Sequence, residues 1–335
     1  MHIIDLIPDL QAAILAARQI RDANNTLAPY LPNRPVQEVS YRLGREQRLD
    51  QIAPVRAFDS PSTPIRRPAV SDVRGDLPAV TPREDITETD LMRAQKLAQV
   101  AVDYGPGVRA AARRVALTVD NTFEQMRGQL LSSGAVTLQL ADGNTQSVDF
   151  GVSEDQKFTA ATAWTAAGYD GDPFEELEEW HRAYADASGT DAGVMLTTRR
   201  VVTLLSTFLR RKYPQQPIGA ATVAGELAMR NLPQPQVYDR VLTDLQKNKT
   251  RVFPEGAITF LPTADQPIGE TQLGPTQEAQ EQMARGVLTA EQVPGLTLVT
   301  LGNDDPVQRA VKGAAIGLPI LRDADAIVCV NGITG

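Results

Sequence analysis

Apolar residues between Leu91 and Leu130 recur in steps of three and four, a spacing that places them on one face of an amphipathic helix. Leu91, Ala94, Leu97, Ala98, Ala101 and Val102 form a first run. Val108, Ala112, Val115, Val119, Phe123, Met126 and Leu130 form a second. Thr87 and Asp90 stand at capping-box spacing before the first run, and Gly105-Pro106-Gly107 separates the two. At 1.5 Å per residue the runs together would reach ~65 Å, bent or broken at the Gly-Pro-Gly.

Strand signals follow, so the fold class is α+β. Residues 136–140 and 146–151 flank Asp142-Gly143-Asn144, and Asp-Gly between alternating apolar residues marks a β-hairpin. From 152 to about 248 helix and strand signals are mixed. Asp172 is a natural N-cap and Pro173 a natural first helical residue, with Glu175 and Glu176 set against the positive end of the dipole. Phe174, Leu177, His181 and Tyr184 fall on one face, and Gly189 is placed to follow the helix end. Residues 194–197 read as a short buried strand, and 199–212 as a helix that Pro214 stops. No segment repeats at a fixed period, which argues against a solenoid.

The 335 residues suit one large domain or two moderate ones, and 42% hydrophobic with 22% charged content argues against general disorder. Apolar runs are short and interrupted by Arg or Asp, so none is expected to span a bilayer. The opening MHIIDLIPDLQ lacks the layout of a signal peptide, and synthesis in the cytoplasm is expected. A single cysteine, Cys329, excludes an internal disulfide framework and a cysteine metal cluster. A net charge of −8 argues against a general nucleic-acid binder. Only six of the 33 basic residues are Lys; the rest are Arg, which is enriched at protein interfaces and also favoured by a GC-rich genome.

Residues 1–40 hold one short amphipathic stretch, Leu6, Leu10 and Ile14, followed by Pro29, Pro32 and Pro35, which favour extended backbone. With too little apolar surface for a core of its own, this segment reads as a tail or as an arm that orders on a neighbour. Residues 41–86 hold six prolines, eight arginines and no lysine, with acids interspersed. Alternation at Val39, Tyr41 and Leu43 suits a long protruding β-hairpin, and a disordered linker is the plain alternative.

Catalysis has little to work with. Gly105-Pro106-Gly107-Val108-Arg109-Ala110 formally fits a dinucleotide fingerprint, but a phosphate cradle needs a strand before it and Pro106 has no N–H to offer. Asp170, Asp172, Glu175, Glu176, Glu178 and Glu179 could hold a hard cation, yet capping accounts for the first four and the last two lie off the apolar face. They read as a solvated helix N-terminus. His2 and His181 lack partners at metal-binding spacing, and neither a Gly-x-Ser-x-Gly elbow nor a Walker loop is present. Cys329, inside AIVCV, reads as a small core residue. No catalytic, cofactor-binding or metal-ligating residue is therefore expected.

The last third reads GAITFLPT from Gly256, IGETQLGPTQEA from Ile268, DDPV from Asp304 and GLPILRDADAIVCV from Gly317. That series resembles the C-terminal half of phage major capsid proteins of the lambda head-protein (capsid E) family. The long helix and the Asp172-Pro173 run ending at Trp180 stand in the family's order too. The likeness covers nearly the whole chain in layout, and the region from about Trp164 onward in motifs. It implies a Hong Kong 97-like capsid fold. Residues 1–40 would be the N-terminal arm, 41–86 the extended β-hairpin loop, 87–151 with 294–316 the peripheral domain with its spine helix, and 152–293 with 317–335 the axial domain.

The function so implied is structural: a major capsid protein of a tailed double-stranded DNA bacteriophage, forming pentamers and hexamers in an icosahedral head. Mild acidity would keep such a wall from sticking to the genome it encloses. The implied partners are copies of itself, a portal, a separate scaffolding protein and optionally a decoration protein, with no membrane. The implied location is the virion, after assembly in the bacterial host cytoplasm. A separate scaffold follows because no long charged N-terminal extension of the built-in kind is present. The Lys–Asn cross-link of some relatives is not expected, because residues 41–86 contain no Lys. Mixed charge in that loop suits pairing with an adjacent subunit, so Arg42, Arg45, Arg48, Arg66, Arg67 and Arg74 are expected at intersubunit contacts. The arm is expected to be needed for assembly and dispensable for the core fold. Two alternatives stand beside this reading: an encapsulin-like nanocompartment shell protein, and a carboxylate-dependent hydrolase built on residues 170–179.

Overall fold

The periodic stretch becomes a 29-residue helix, α1 (Gly105–Ser133), in a computed structural model that describes residues 2–3, 15–46, 70–87, 89, 105–139, 145–244, 247–304 and 307–334. Its length is about 44 Å. Val108, Ala112, Val115, Val119, Phe123, Met126 and Leu130 are all buried, as their spacing requires. Gly105-Pro106-Gly107 are the first described residues of α1, and the expected bend before them falls outside the described residues. Residues 91–102, Asp90, the turn Asp142-Gly143-Asn144 and the residues Leu6, Leu10 and Ile14 lie outside the described residues.

Two sheets lie against α1. In the first, β1 (His2–Ile3), β16 (Thr297–Asp304), β17 (Val307–Leu321), β15 (Gly269–Gly274) and β2 (Asn33–Pro35) are successive neighbours, and β5 (Ala79–Val80) and β6 (Arg83–Ile86) also pair with β17. The 15-residue β17 is long enough to serve different partners along its length. Its first half pairs with β16 and β6, its second with β15 and β5. Where α1 crosses β17, that strand reads Gly313, Ala314, Ala315, then Gly317. A Cβ at Gly313 would lie 2.7 Å from Cγ1 of Val115, so small residues are what let helix and strand approach.

In the second sheet β11 (Pro235–Val237), β10 (Val194–Thr197), β14 (Ile258–Leu261), β18 (Val328–Asn331) and β9 (Lys157–Thr159) follow in that order. β14 is buried along its whole length and β18 along Val328–Val330, and both are mainly apolar, as strands covered on both faces are. Ile258, Phe260, Val328 and Val330 face α2 (Pro173–Ser188), α3 (Arg199–Lys212) and α4 (Ala220–Met229), packing on Phe174, Leu177, Trp180, Tyr184, Leu205 and Leu227. Leu261 and Cys329 face the end of α1, where the Leu131 carbonyl accepts from Thr259 Oγ1 at 2.7 Å. The caps of α2 are those expected: Asp172 Oδ1 accepts from Phe174 N at 2.9 Å, and Gly189 is left-handed at φ 70°. Helix α5 (Gln277–Ala284) opens on the Thr276 side chain.

Among the described residues there are also three two-stranded ribbons. They are β3 (Ser40–Glu46) with β4 (Val70–Asp76), β7 (Ala135–Gln139) with β8 (Thr145–Asp149), and β12 (Val241–Thr243) with β13 (Lys249–Arg251). The first pairs strands within the residues 41–86 where a hairpin was expected and the second pairs strands on either side of Asp-Gly, while the connections themselves lie outside the described residues.

Residues 15–36 overturn the expectation of a dispensable arm. Leu27, Tyr30 and Leu31 are completely buried in the main core. β2 pairs in parallel with β15, and Leu27 N donates to Glu124 Oε1 at 2.8 Å. Tyr30 OH donates to Gln236 Oε1 at 2.6 Å, and Arg34 holds Glu270 at 2.8 Å. The segment needs no core of its own because α1 and β15 of the same chain supply one.

Gly128 of α1 sits against the backbone of Val252, where a Cβ would lie 2.1 Å from the carbonyl oxygen. Gly128→Ala is therefore expected to cost about 2 kcal/mol or more, as overpacking against an atom that cannot swing away. Gly107→Ala, with open space around it, should be neutral or stabilise by up to ~1 kcal/mol. Urea midpoints of the two variants provide the check; equal midpoints would contradict the packing argument.

Candidate assembly surfaces

The residues singled out for chemistry have structural work. Asp172 caps α2 and pairs with Lys212 Nζ at 3.0 Å and Arg230 at 3.8 Å. Glu176 accepts from Trp164 Nε1 and Tyr169 OH, both at 2.9 Å, and Glu178 pairs with Arg230 at 2.7 Å. Half the acidic run is thus tied into the fold rather than simply solvated. Tyr169 titrates well above the ordinary tyrosine range, through burial and then its bond to Glu176. His181 Nε2 accepts from Ala192 N at 3.3 Å, beside the Phe260 ring, and burial lowers its pKa. Cys329 is buried in β18, its thiol pushed up to about 12 by desolvation, as befits a small core residue. Among the described residues no group of three or more His, Cys, Asp or Glu could hold a metal ion. No helix among them is long and apolar enough to cross a membrane.

The densest polar site was not legible in advance. Glu124 and Arg127, one turn apart on α1, are 0% and 1% exposed and pair at 3.1 Å. Arg127 also donates to Thr271 Oγ1 at 3.0 Å and to Asn33 Oδ1. Thr271 Oγ1 in turn donates to the Leu31 carbonyl at 2.8 Å. Glu124 accepts from Leu27 N and, at 2.9 Å, from Tyr238 OH. Burial lowers the Arg127 pKa against the opposing pull of Glu124, while burial and Glu124 together raise that of Tyr238. Every strong hydrogen-bonding group here has a partner, which is the condition for keeping charge in a core. The network fastens the N-terminal segment, β15 and the strand region around Tyr238 to one turn of α1.

Of the arginines expected at contacts, Arg42 and Arg74 are exposed and directly opposite one another in the β3–β4 register, and Arg45 is paired in register with Ser71. Arg48, Arg66 and Arg67 lie outside the described residues. The base of the ribbon is anchored by Tyr41, buried in the main core, whose ring lies where a side chain on Gly75 would otherwise sit.

Comparison with solved structures places this fold among capsids. A structure described as the capsid protein of an E. coli CFT073 prophage superposes with a TM-score of 0.63 at 15% identity, covering 98% of this chain and 99% of the other. A phage-related protein from Bordetella bronchiseptica RB50 superposes at 0.60 and 14% identity, covering 100% and 99%. The capsid of cyanophage A-1(L) superposes at 0.52 and 10% identity, covering 93% of each. At such identities the likeness is one of fold, the Hong Kong 97-like α+β capsid fold. No curated protein sequence matches at a significant level. Residues 25–331 match the family model described as phage major capsid protein E, and the chain belongs to that family.

Proposed function

We propose that this protein is the shell subunit of a tailed double-stranded DNA phage head, assembling with copies of itself as pentamers and hexamers and having no catalytic role. The observation that carries this reading is the family match over residues 25–331. The fold supports it as well, because the prophage capsid structure and this chain cover one another almost end to end. A separate scaffolding protein, a portal and optionally a decoration protein are the proposed partners, and assembly in the host cytoplasm precedes residence in the virion.

In this reading residues 1–40 are the N-terminal arm, 41–86 the extended loop, 87–151 with 294–316 the peripheral domain, and 152–293 with 317–335 the axial domain. The second sheet supports a division of this kind, since all five of its strands lie in the residues assigned to the axial domain. Strand pairing crosses it, since β15 and the end of β17 belong to the sheet of β16. Arg42, Arg45, Arg48, Arg66, Arg67 and Arg74 are proposed to meet adjacent subunits. Electron microscopy of the purified protein tests the reading: rings or closed shells are expected. A strictly monomeric species at high concentration, with and without scaffold, would count against it.

A further inference from the structure

Two neighbouring helices each carry exposed charges, of opposite sign, that make no ion pair among the described residues. Helix α3 carries Arg199, Arg200, Arg210, Arg211 and Lys212 and no acid. Three of these are engaged within the subunit. Arg199 pairs with Asp239 at 3.7 Å, Lys212 with Asp172 at 3.0 Å, and Arg210 donates to the Ile218 carbonyl at 3.4 Å. Arg200 and Arg211 have no such partner among the described residues. Instead they line a cup of about 200 Å³ together with Trp164, Tyr169, Leu204 and Phe208.

Spacing makes the two arginines a unit. They are eleven residues apart, three helical turns, so they share one side of α3 about 16 Å apart. Helix α2 bears the counterpart. Glu175, Glu179 and Asp186 are exposed along one stripe, interrupted by Arg182, and none pairs with a base among the described residues. Glu175 and Asp186 are also eleven residues apart. Within one subunit both stripes face outward, away from the shared core.

We propose that the Arg200/Arg211 cup of one copy receives the Glu175/Asp186 stripe of a second copy of this chain. The proposal rests on the shell reading and names one surface through which copies meet. Opposite sign and equal spacing on a single sequence argue for a second copy over an unrelated acidic protein. A surface that complements a different surface of the same chain makes head-to-tail contacts, which can close into rings. The aromatic and aliphatic floor of the cup excludes water around the ion pairs, which strengthens them over pairs in open solvent.

Charge exchange in the full-length chain tests this. One variant carries Arg200→Glu with Arg211→Glu, a second Glu175→Arg with Asp186→Arg, and a third all four changes. All sites are exposed and unpaired within the subunit, so circular dichroism should match wild type and melting should change little, Glu175→Arg losing about 0.3–1 kcal/mol against the α2 dipole. Where reversal perturbs the fold, Arg200→Gln with Arg211→Gln should act in the same direction. Each double variant should raise the protein concentration needed for assembly about tenfold, read by sedimentation velocity, because single exposed pairs are weak but every repeat of the contact is affected. The fourfold variant should return to near the wild-type concentration. Double variants that assemble as wild type does, or a folded fourfold variant that fails to recover, overturn the contact alone. Wild-type protein that never assembles overturns the shell reading and this contact with it.

Discussion

Deleting residues 1–36 should abolish the cooperative melting transition rather than merely block assembly. Leu27, Tyr30 and Leu31 have no exposed surface, and the strand β2 is an integral member of the larger sheet. Truncating one buried leucine commonly costs about 2–5 kcal/mol, against a whole-domain stability of about 5–15 kcal/mol. Removing three large buried side chains, a strand and the hydrogen bonds to Glu124 and Gln236 together exceeds what a fold of this size can spare. Leu31→Ala alone should cost about 3 kcal/mol. Thermal melts followed by circular dichroism are the measurement. A truncated protein that melts cooperatively near the wild-type midpoint would show that the segment is an accessory after all.

Arg127→Met should be nearly as damaging, by about 3–5 kcal/mol, because it leaves the Glu124 carboxylate buried without its cation. Leu27 N and Tyr238 OH would still donate to that carboxylate, so the side chain is not left bare. Its charge, however, would have no counter-charge in contact. Glu124→Gln combined with Arg127→Met should cost less than the sum of the two single changes, since a buried pair removed whole avoids the stranded charge. Urea unfolding of the two single variants and the double variant closes the cycle. An Arg127→Met protein within about 1 kcal/mol of wild type would mean that water or a rearranged side chain replaces the guanidinium.

What could be read from the sequence was what local physics decides. The face of α1 followed from apolar spacing, and the ends of α2 followed from Asp172, Pro173 and Gly189. The strand β10 and the helix α3 were bounded by their own residues and by Pro214. In each case the deciding interactions lie within a few residues of the element.

The miss at residues 15–36 has the opposite cause. Leu27, Tyr30 and Leu31 lie among prolines without any period, so no local pattern marks them as core. They become core only because α1, almost a hundred residues later, and β15, more than two hundred later, offer a surface. Glu124 and Arg127 were missed for the same reason, since near α1's middle the buried face widens beyond a single stripe once elements pack on several sides. Likewise the spacing of the acids on α2 is visible in the chain. Only packing assigns Glu176 to Trp164 and Tyr169, Glu178 to Arg230, and leaves Glu175 and Glu179 facing outward. Sequence alone therefore determined the helices, their caps and the family resemblance, because those depend on neighbours in the chain. The tertiary structure decided which polar and apolar side chains are spent inside the subunit and which stay on its surface, because burial depends on what distant segments bring to the same place.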